Sequence, residues 1–357
     1  MKKILFINGV ILIIGIILIE IVWQIAYSND IRVTLNVLAD TNYDYDISSI
    51  YQSRDHTIHY SRDINGFRGN YSNAKDIDVI VIGGSTTDQR YIDDEQTWEH
   101  VLESLLKQSG INITIVNAGV DGQSTYGHIK NFDLWFPKIR QLNPNYILFY
   151  VGINDFYKDE GCSYDALCGN TLITIKKFIK TSFVYYLYRL VKGIIKVKIE
   201  KIGHKPVDFS MLNTTSRPLI GKDKYKQIMA KRLNEYSSRL KTLISKTKKM
   251  GAMPIFVTQR RMSYWRKGNQ VIGISYQSSY NAVKYNGVDM YYMNKLLNNT
   301  TMSVCKQANG ICIDLESELN FTHDDFYDFA HNTPRGTIKI GKYLYHKLYD
   351  QLLKPAR

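Results

Sequence analysis

Sixteen residues from Ile4 to Ile19 carry no charge and are dominated by Ile, Leu and Val. Glu20 interrupts the run, and Ile21, Val22 and Trp23 continue it to Ala26. A helix of about twenty residues spans a bilayer core, and this run reaches that length with Glu20 at the far interface beside Trp23. From Ser28 to about Lys75 the chain is polar, rich in Tyr and Asp, and shows little period. That stretch predicts a stalk and an irregular lead-in segment. Asp78 to Ile82 then reads as a buried strand, apolar without alternation. Thr97 to Gln108 has helical spacing, with Trp98, Val101, Leu102, Leu105 and Leu106 on one face and Gly110 as a stop. Ile111 to Val116 and Tyr146 to Val151 are the second and third strands. A long, mostly polar helix from Lys222 to Lys249 precedes a fourth strand from Pro254 to Thr258. A helix over Asp289 to Gln307 leads to a fifth strand from Ile311 to Leu315. Thr333 and Pro334 supply an N-cap and a first-turn proline for a closing helix that reaches about Leu353.

Strands separated by helical stretches predict an α/β fold, a doubly wound parallel sheet of five strands covered on both faces. The domain plan is an apolar segment at 1–27, the stalk and lead-in at 28–75, and one α/β domain at 76–355. An insertion at about 161–221 breaks the alternation. Within it, Thr171 to Lys201 interleaves eight basic residues with Ile, Leu, Val, Phe and Tyr, which predicts one or two basic amphipathic helices. Two readings stand: a surface helix packed on its own domain, or a lid or segment lying on anionic lipid. No internal repeat is visible.

The compartment follows from charge and cysteine. Lys2 and Lys3 precede the apolar run and Glu20 follows it, so the positive-inside rule puts the N-terminus in the cytoplasm and the rest outside. A retained anchor is the expectation. A cleaved signal peptide lacks a clear A-x-A site, and a buried core helix is the third reading. The four cysteines form two close pairs, Cys162 with Cys168 and Cys305 with Cys312. They read as two local disulfides in an oxidising compartment, with four separate buried thiols as the alternative. Of the 357 residues, 46 are Lys or Arg and 33 are Asp or Glu, a formal charge of +13 that points to an acidic neighbour. Nucleic acid is not indicated: the chain has no zinc-finger spacing, no RNP-like motif and no basic block of five.

The polar residues that follow the strands carry the chemistry. After the first strand comes Gly83-Gly84-Ser85-Thr86-Thr87, and after the second Asn117-Ala118-Gly119-Val120-Asp121-Gly122. The third is followed by Gly152-Ile153-Asn154-Asp155, and the closing helix is preceded by Asp328-Phe329-Ala330-His331. Ligands in such sheets bind beyond the carboxyl ends of the strands. A hydroxyl, a glycine amide, a side-chain amide and a paired Asp and His, in that order, resemble the blocks of the SGNH/GDSL hydrolases over about residues 60–355, the insertion excepted. The resemblance implies Ser85 as nucleophile, His331 as base and Asp328 as its orienting carboxylate. It also implies an oxyanion hole from the Ser85 and Gly122 backbone N–H groups and the Asn154 amide. The first block departs from Gly-Asp-Ser-Leu, with Gly84 for the Asp and Thr86 for the Leu.

This chemistry is acyl transfer: a serine hydroxyl becomes nucleophilic when an adjacent base takes its proton. It requires no metal and no cofactor. Arg260, Arg261, Tyr264 and Trp265 follow the fourth strand and are expected at the substrate rim, a solvated loop being the alternative. His323, Asp324 and Asp325 lie upstream of the dyad as rivals to it. His56 and His59 lack the partners of a zinc site, and Gly336 to Lys342 imitates a phosphate loop inside a predicted helix. The expected function is a membrane-anchored, extracytoplasmic serine esterase. Its substrate is an acyl ester, with an O-acetyl group on a cell-envelope glycan as first choice. An O-acetyltransferase or a lysophospholipase with the same triad, or a non-catalytic glycan-binding envelope protein, are the alternatives.

Overall fold

The computed structural model describes residues 2–27, 35–53, 55–158, 165, 182–185, 187–188, 204–280 and 282–352. Cys162, Cys168 and most of the basic stretch from Thr171 to Lys201 lie outside them. Five parallel strands form the central sheet: Val79–Gly83, Ile115–Asn117, Tyr146–Tyr150, Met253–Val257 and Ile311–Ile313. The first strand lies between the second and the third, and the fourth and fifth follow outward from the third. The chain thus leaves the first strand in one direction and returns to its other side. That reversal sits between the ends of Val79–Gly83 and Tyr146–Tyr150, where a crevice opens.

Each central strand is buried on both faces because successive side chains serve two different cores. Ile80, Ile82, Ile147, Phe149 and Phe256 pack under the helices Thr125–Leu134, Lys224–Lys249 and Gly287–Gln307. Val79, Val81, Leu148, Ile255 and Val257 pack under Trp98–Gln108 and Pro334–Leu352. In Trp98–Gln108 the buried stripe is Trp98, Leu102 and Leu106. Each such apolar side chain contributes about 1.5–3 kcal/mol when fully buried. The Thr97 side chain accepts from the His100 N–H at 3.3 Å and starts the helix.

The lead-in is not irregular. Thr41–Asp46 and Thr57–Arg62 pair as an antiparallel hairpin, in which Ile58, Tyr60 and Arg62 are buried. Two smaller sheets accompany the central one: Tyr264–Lys267 with Gln270–Ile274 and, from before the fourth strand, Thr214–Thr215; and Ser278–Tyr280 with Val283–Tyr285. Cys305 and Cys312 are joined as a disulfide, which ties the end of Gly287–Gln307 to the edge strand.

The helix Lys2–Tyr27 contains one stretch long and apolar enough to cross a membrane, Phe6–Trp23, none of it buried. The insertion touches it: the Phe183 N–H donates to Glu20 at 2.9 Å, and the Phe183 ring meets Trp23 edge-on. The one acidic residue of the apolar run is therefore occupied.

Candidate active site

Ser85 opens a single helical turn, Ser85–Asp88, directly after the first strand. The turn is sharp because its glycines leave no room for side chains. A Cβ on Gly83 would sit 2.1 Å from Thr87 Oγ1, and one on Gly84 would sit 2.3 Å from Asn154 Nδ2. At the other end of the turn, Asp88 is buried against Arg62 at 2.6 Å. Arg62 also donates to Tyr60, Gly66 and Gly119. Burial alone would raise the Asp88 carboxyl, but Arg62 and Arg90 hold it down at about 2. Breaking a buried pair of this kind costs about 3–5 kcal/mol. The hairpin that the sequence hid thus clamps the turn that presents Ser85.

The Ser85 hydroxyl meets an imidazole. His331 Nε2 lies 2.7 Å from Ser85 Oγ, and His331 Nδ1 lies 2.7 Å from Asp328 Oδ2. The other Asp328 oxygen accepts from the Ala330 and His331 backbone N–H groups at 2.8 and 2.7 Å. Burial works against the Asp328 charge, but these hydrogen bonds keep its carboxyl below the usual range. An ionised Asp328 favours the tautomer with the proton on Nδ1, leaving Nε2 to accept from the serine. The row Ser85–His331–Asp328 is set for proton transfer.

Gly122 and Asn154 come to the same strand ends. Gly122 holds φ of 71°, a left-handed conformation that favours glycine. The carbonyl of the next residue, Gln123, accepts from Asn154 Nδ2 at 2.8 Å. An amide nitrogen carries two hydrogens, and this bond commits one of them. Asp155, the residue after Asn154, turns the other way. It is buried against Thr125 and Arg239, which anchors the third strand end to two helices, while burial raises its carboxyl.

A small cavity of about 10 Å³ opens beside Ser85, bounded also by Asn154, Val151, Ile153, Gln259 and His128, among others. Sequence reasoning missed Gln259, His128 and Gln123. Gln259 bridges Thr86 and the Tyr150 carbonyl and accepts from the Ile153 N–H, so it locks three parts of the cavity wall. His128 pairs with Gln123 at 2.8 Å, and burial holds it down at about 3, a neutral ring.

The rim expectation needs correction. Arg260, Arg261 and Tyr264 are buried. Arg260 pairs with Glu316 at 2.8 Å and donates to the Tyr264 carbonyl, while Arg261 donates to the Ile153 carbonyl and to Tyr157. Tyr264 donates to Glu316 and accepts from Asn294. A guanidinium can be buried when polar groups take up its donors; Glu316 and the Tyr264 carbonyl do so for Arg260, and the Ile153 carbonyl and Tyr157 hydroxyl for the two terminal nitrogens of Arg261. Trp265 alone is part-exposed, and its ring meets His323. His323 also stacks on Phe209, and Asp325 is buried against Lys339, so the upstream rivals of the dyad have other partners.

A third ring joins the dyad. His204 stacks on His331 with centroids 4.3 Å apart. His204, Asp328 and His331 are the one set among the described residues close enough to share a metal ion, their ligand atoms lying within 4.8 Å. Both nitrogens of His331 are already taken by Ser85 and Asp328. The arrangement is that of a proton-transfer row.

A family model described as GDSL-like Lipase/Acylhydrolase matches residues 79–344. No curated protein matches the chain. Among solved structures the chain is similar to the psychrotrophic esterase EstA from Pseudoalteromonas sp. The identity is 12% and the TM-score 0.42, over 78% of this chain and 100% of that one. It is similar also to a catalytic mutant of Axe2, an acetylxylan esterase from Geobacillus stearothermophilus. There the identity is 13% and the TM-score 0.43, over 76% of this chain and 94% of that one. A third is the acetyl xylan esterase AlAXEase, at 14% identity and a TM-score of 0.41, over 77% and 99% of the two chains.

Proposed function

Because the chain belongs to the GDSL-like lipase/acylhydrolase family and is a serine hydrolase of ester bonds, we propose that Ser85 is its nucleophile and that it removes short acyl groups, acetyl first, from an envelope glycan. The observation that carries this reading is the hydrogen-bonded row from Ser85 through His331 to Asp328, set beside a cavity of about 10 Å³. His331 Nε2 takes the Ser85 proton as Oγ adds to the ester carbonyl. The Ser85 and Gly122 N–H groups and the second Asn154 N–H receive the oxyanion. Collapse expels the sugar hydroxyl, which regains its proton from His331, and water then releases the acid by the same steps in reverse order.

The membrane part of the proposal is a single-pass anchor with the catalytic domain outside the cytoplasm. Its support is the unburied apolar helix behind two lysines, together with a disulfide in the domain. A purely glycan-binding module has no use for a serine bonded to a histidine that is bonded to a carboxylate.

The test uses the full chain in detergent micelles, a fluorophosphonate probe and p-nitrophenyl acetate. Ser85→Ala is expected to lose labelling and turnover, on the order of 10⁶ in rate for a serine hydrolase. Asn154→Ala is expected to keep labelling and lose about 10²–10³ in turnover. Equal labelling of the wild type and Ser85→Ala sinks the assignment.

A further inference from the structure

His204 lies outside every block that carries the hydrolase chemistry, in the insertion between the third and fourth sheet strands. Its ring nevertheless lies on that of His331, with centroids 4.3 Å apart and planes inclined by 28°. His204 Nδ1 is 2.8 Å from the Tyr327 hydroxyl, and the Tyr91 ring meets it edge-on at 5.1 Å. Tyr327 also stacks on His331, at 5.6 Å and 11°. The residue that fixes His204 thus belongs to the same loop as Asp328 and His331, and it packs against the same imidazole.

Charge decides what such a stack does. Burial and the nearness of His331 hold His204 down at about 4, with Asp121 and Asp328 opposing them and Arg90 reinforcing them. The His204 ring is therefore neutral near pH 7. A cation lying over the face of a neutral aromatic ring is attracted to it. Taking the Ser85 proton turns the His331 ring into a cation, so along the reaction the attraction is larger in the transition state than before it. That difference is the condition for an interaction to raise turnover instead of binding.

We propose that His204 is a positioning residue of the reaction: stacked on His331, it keeps the imidazole in line between Ser85 and Asp328 and stabilises the imidazolium as it forms. This role rests on the reading of Ser85 as the nucleophile.

The test uses the full chain in detergent, with p-nitrophenyl acetate kinetics, the rate of fluorophosphonate inactivation and the thermal midpoint of each variant. His204→Ala is expected to lower kcat about 10–30-fold, the size of a desolvated cation–ring attraction. KM should stay within about twofold, and inactivation should slow by the same factor as kcat. His204→Phe keeps a ring face without the ring nitrogens and should restore kcat to within about threefold of wild type. Should His204→Ala melt early, His204→Leu replaces it in the comparison, since it has similar bulk and no ring. A kcat at the wild-type level in His204→Ala overturns the proposal, as does a leucine variant as fast as the phenylalanine one. Ser85→Ala runs alongside: if it labels, the nucleophile reading has failed. If it is dead while His204→Ala is fully active, only the role of His204 has failed.

Discussion

Lengthening the acyl group from acetyl to butyryl asks the cavity beside Ser85 to take two more carbons. Its volume of about 10 Å³ is room for about one water-sized centre, enough for a methyl group that displaces a water. The walls that would have to move are Val151 and Ile153, both buried, and Gln259, which is held by three hydrogen bonds. Forcing extra methylenes into a packed interior typically costs about 1–3 kcal/mol. At about 1.36 kcal/mol per tenfold, kcat/KM should fall about 5–150-fold from p-nitrophenyl acetate to p-nitrophenyl butyrate. A lipase channel predicts the opposite sign, because each buried CH₂ adds about 0.8 kcal/mol. Two of them would raise kcat/KM by about 15-fold. The assay is initial-rate kcat/KM for the acetate, propionate, butyrate and octanoate esters on the full chain. Val151→Ala removes two methyl groups from a residue that bounds the cavity and should shrink the penalty for butyrate. A steady rise from acetate to octanoate refutes the reasoning, and so does a Val151→Ala variant with an unchanged butyrate-to-acetate ratio.

The remaining expectations concern stability and topology. Burial keeps His128 neutral down to about pH 3 against about 6.5 in an unfolded chain, so stability should be lost as pH falls from about 6.5 toward 3. His128→Gln should flatten that fall in thermal midpoints; the difference cancels Glu99, raised by burial to about 8, whose contribution is lost in the other direction, as pH rises. Equal slopes in both proteins would remove His128 as the cause. For topology, alkaline phosphatase fused after residue 40 should be active, and Cys305 and Cys312 should resist alkylation until reduced. An inactive fusion with freely alkylated thiols would place the domain in the cytoplasm.

The central sheet was legible because both of its faces are covered, which turns each strand into an unbroken apolar run. Helices with an apolar stripe, such as Trp98–Gln108, were legible for the same reason. The helix Thr125–Leu134 was not, because most of the face it buries is polar, with Phe132 its one buried large apolar side chain. Thr125 bonds Asp155, while His128 and Asn131 bond Gln123. A hydrophobic period is faint in a helix whose inward side is satisfied mostly by hydrogen bonds. The second strand was expected over Ile111 to Val116 and pairs only over Ile115–Asn117, although Ile111 and Ile113 are buried too. Burial gives an apolar signal, but it does not make a ladder. The hairpin Thr41–Asp46 with Thr57–Arg62 hid behind its Tyr and Asp content, and its inward arginine has a partner, Asp88, far along the chain. The same holds for Arg260 with Glu316: charge reads as solvent exposure until the partner is known. Of the candidate site, the Ser, Asn, Asp and His were visible as strand-end chemistry. His204 was not, since nothing in its own neighbourhood of sequence points to His331.

The departure of the first block can now be explained in physical terms. Gly84 stands where the related pattern has Asp, and it stands against the Asn154 amide so closely that any Cβ would overlap it. With a side chain there, either the turn or Asn154 would have to move, and Asn154 would leave the Gln123 carbonyl. The two-glycine turn and the position of the Asn154 amide are therefore one feature, in which the missing side chain makes room for the proposed oxyanion donor. The polar anchoring of the turn is supplied further on by Asp88, three residues after Ser85, buried against Arg62 of the hairpin. Arg90 extends that anchoring outward, pairing with Asp88 at 3.2 Å and approaching Asp121 beside Gly122 at 3.8 Å. The turn that carries Ser85 and the loop that carries Gly122 are thus held to one another by charge. A substitution that frees Asp88 from Arg62 would disturb the proposed nucleophile and the proposed oxyanion hole together.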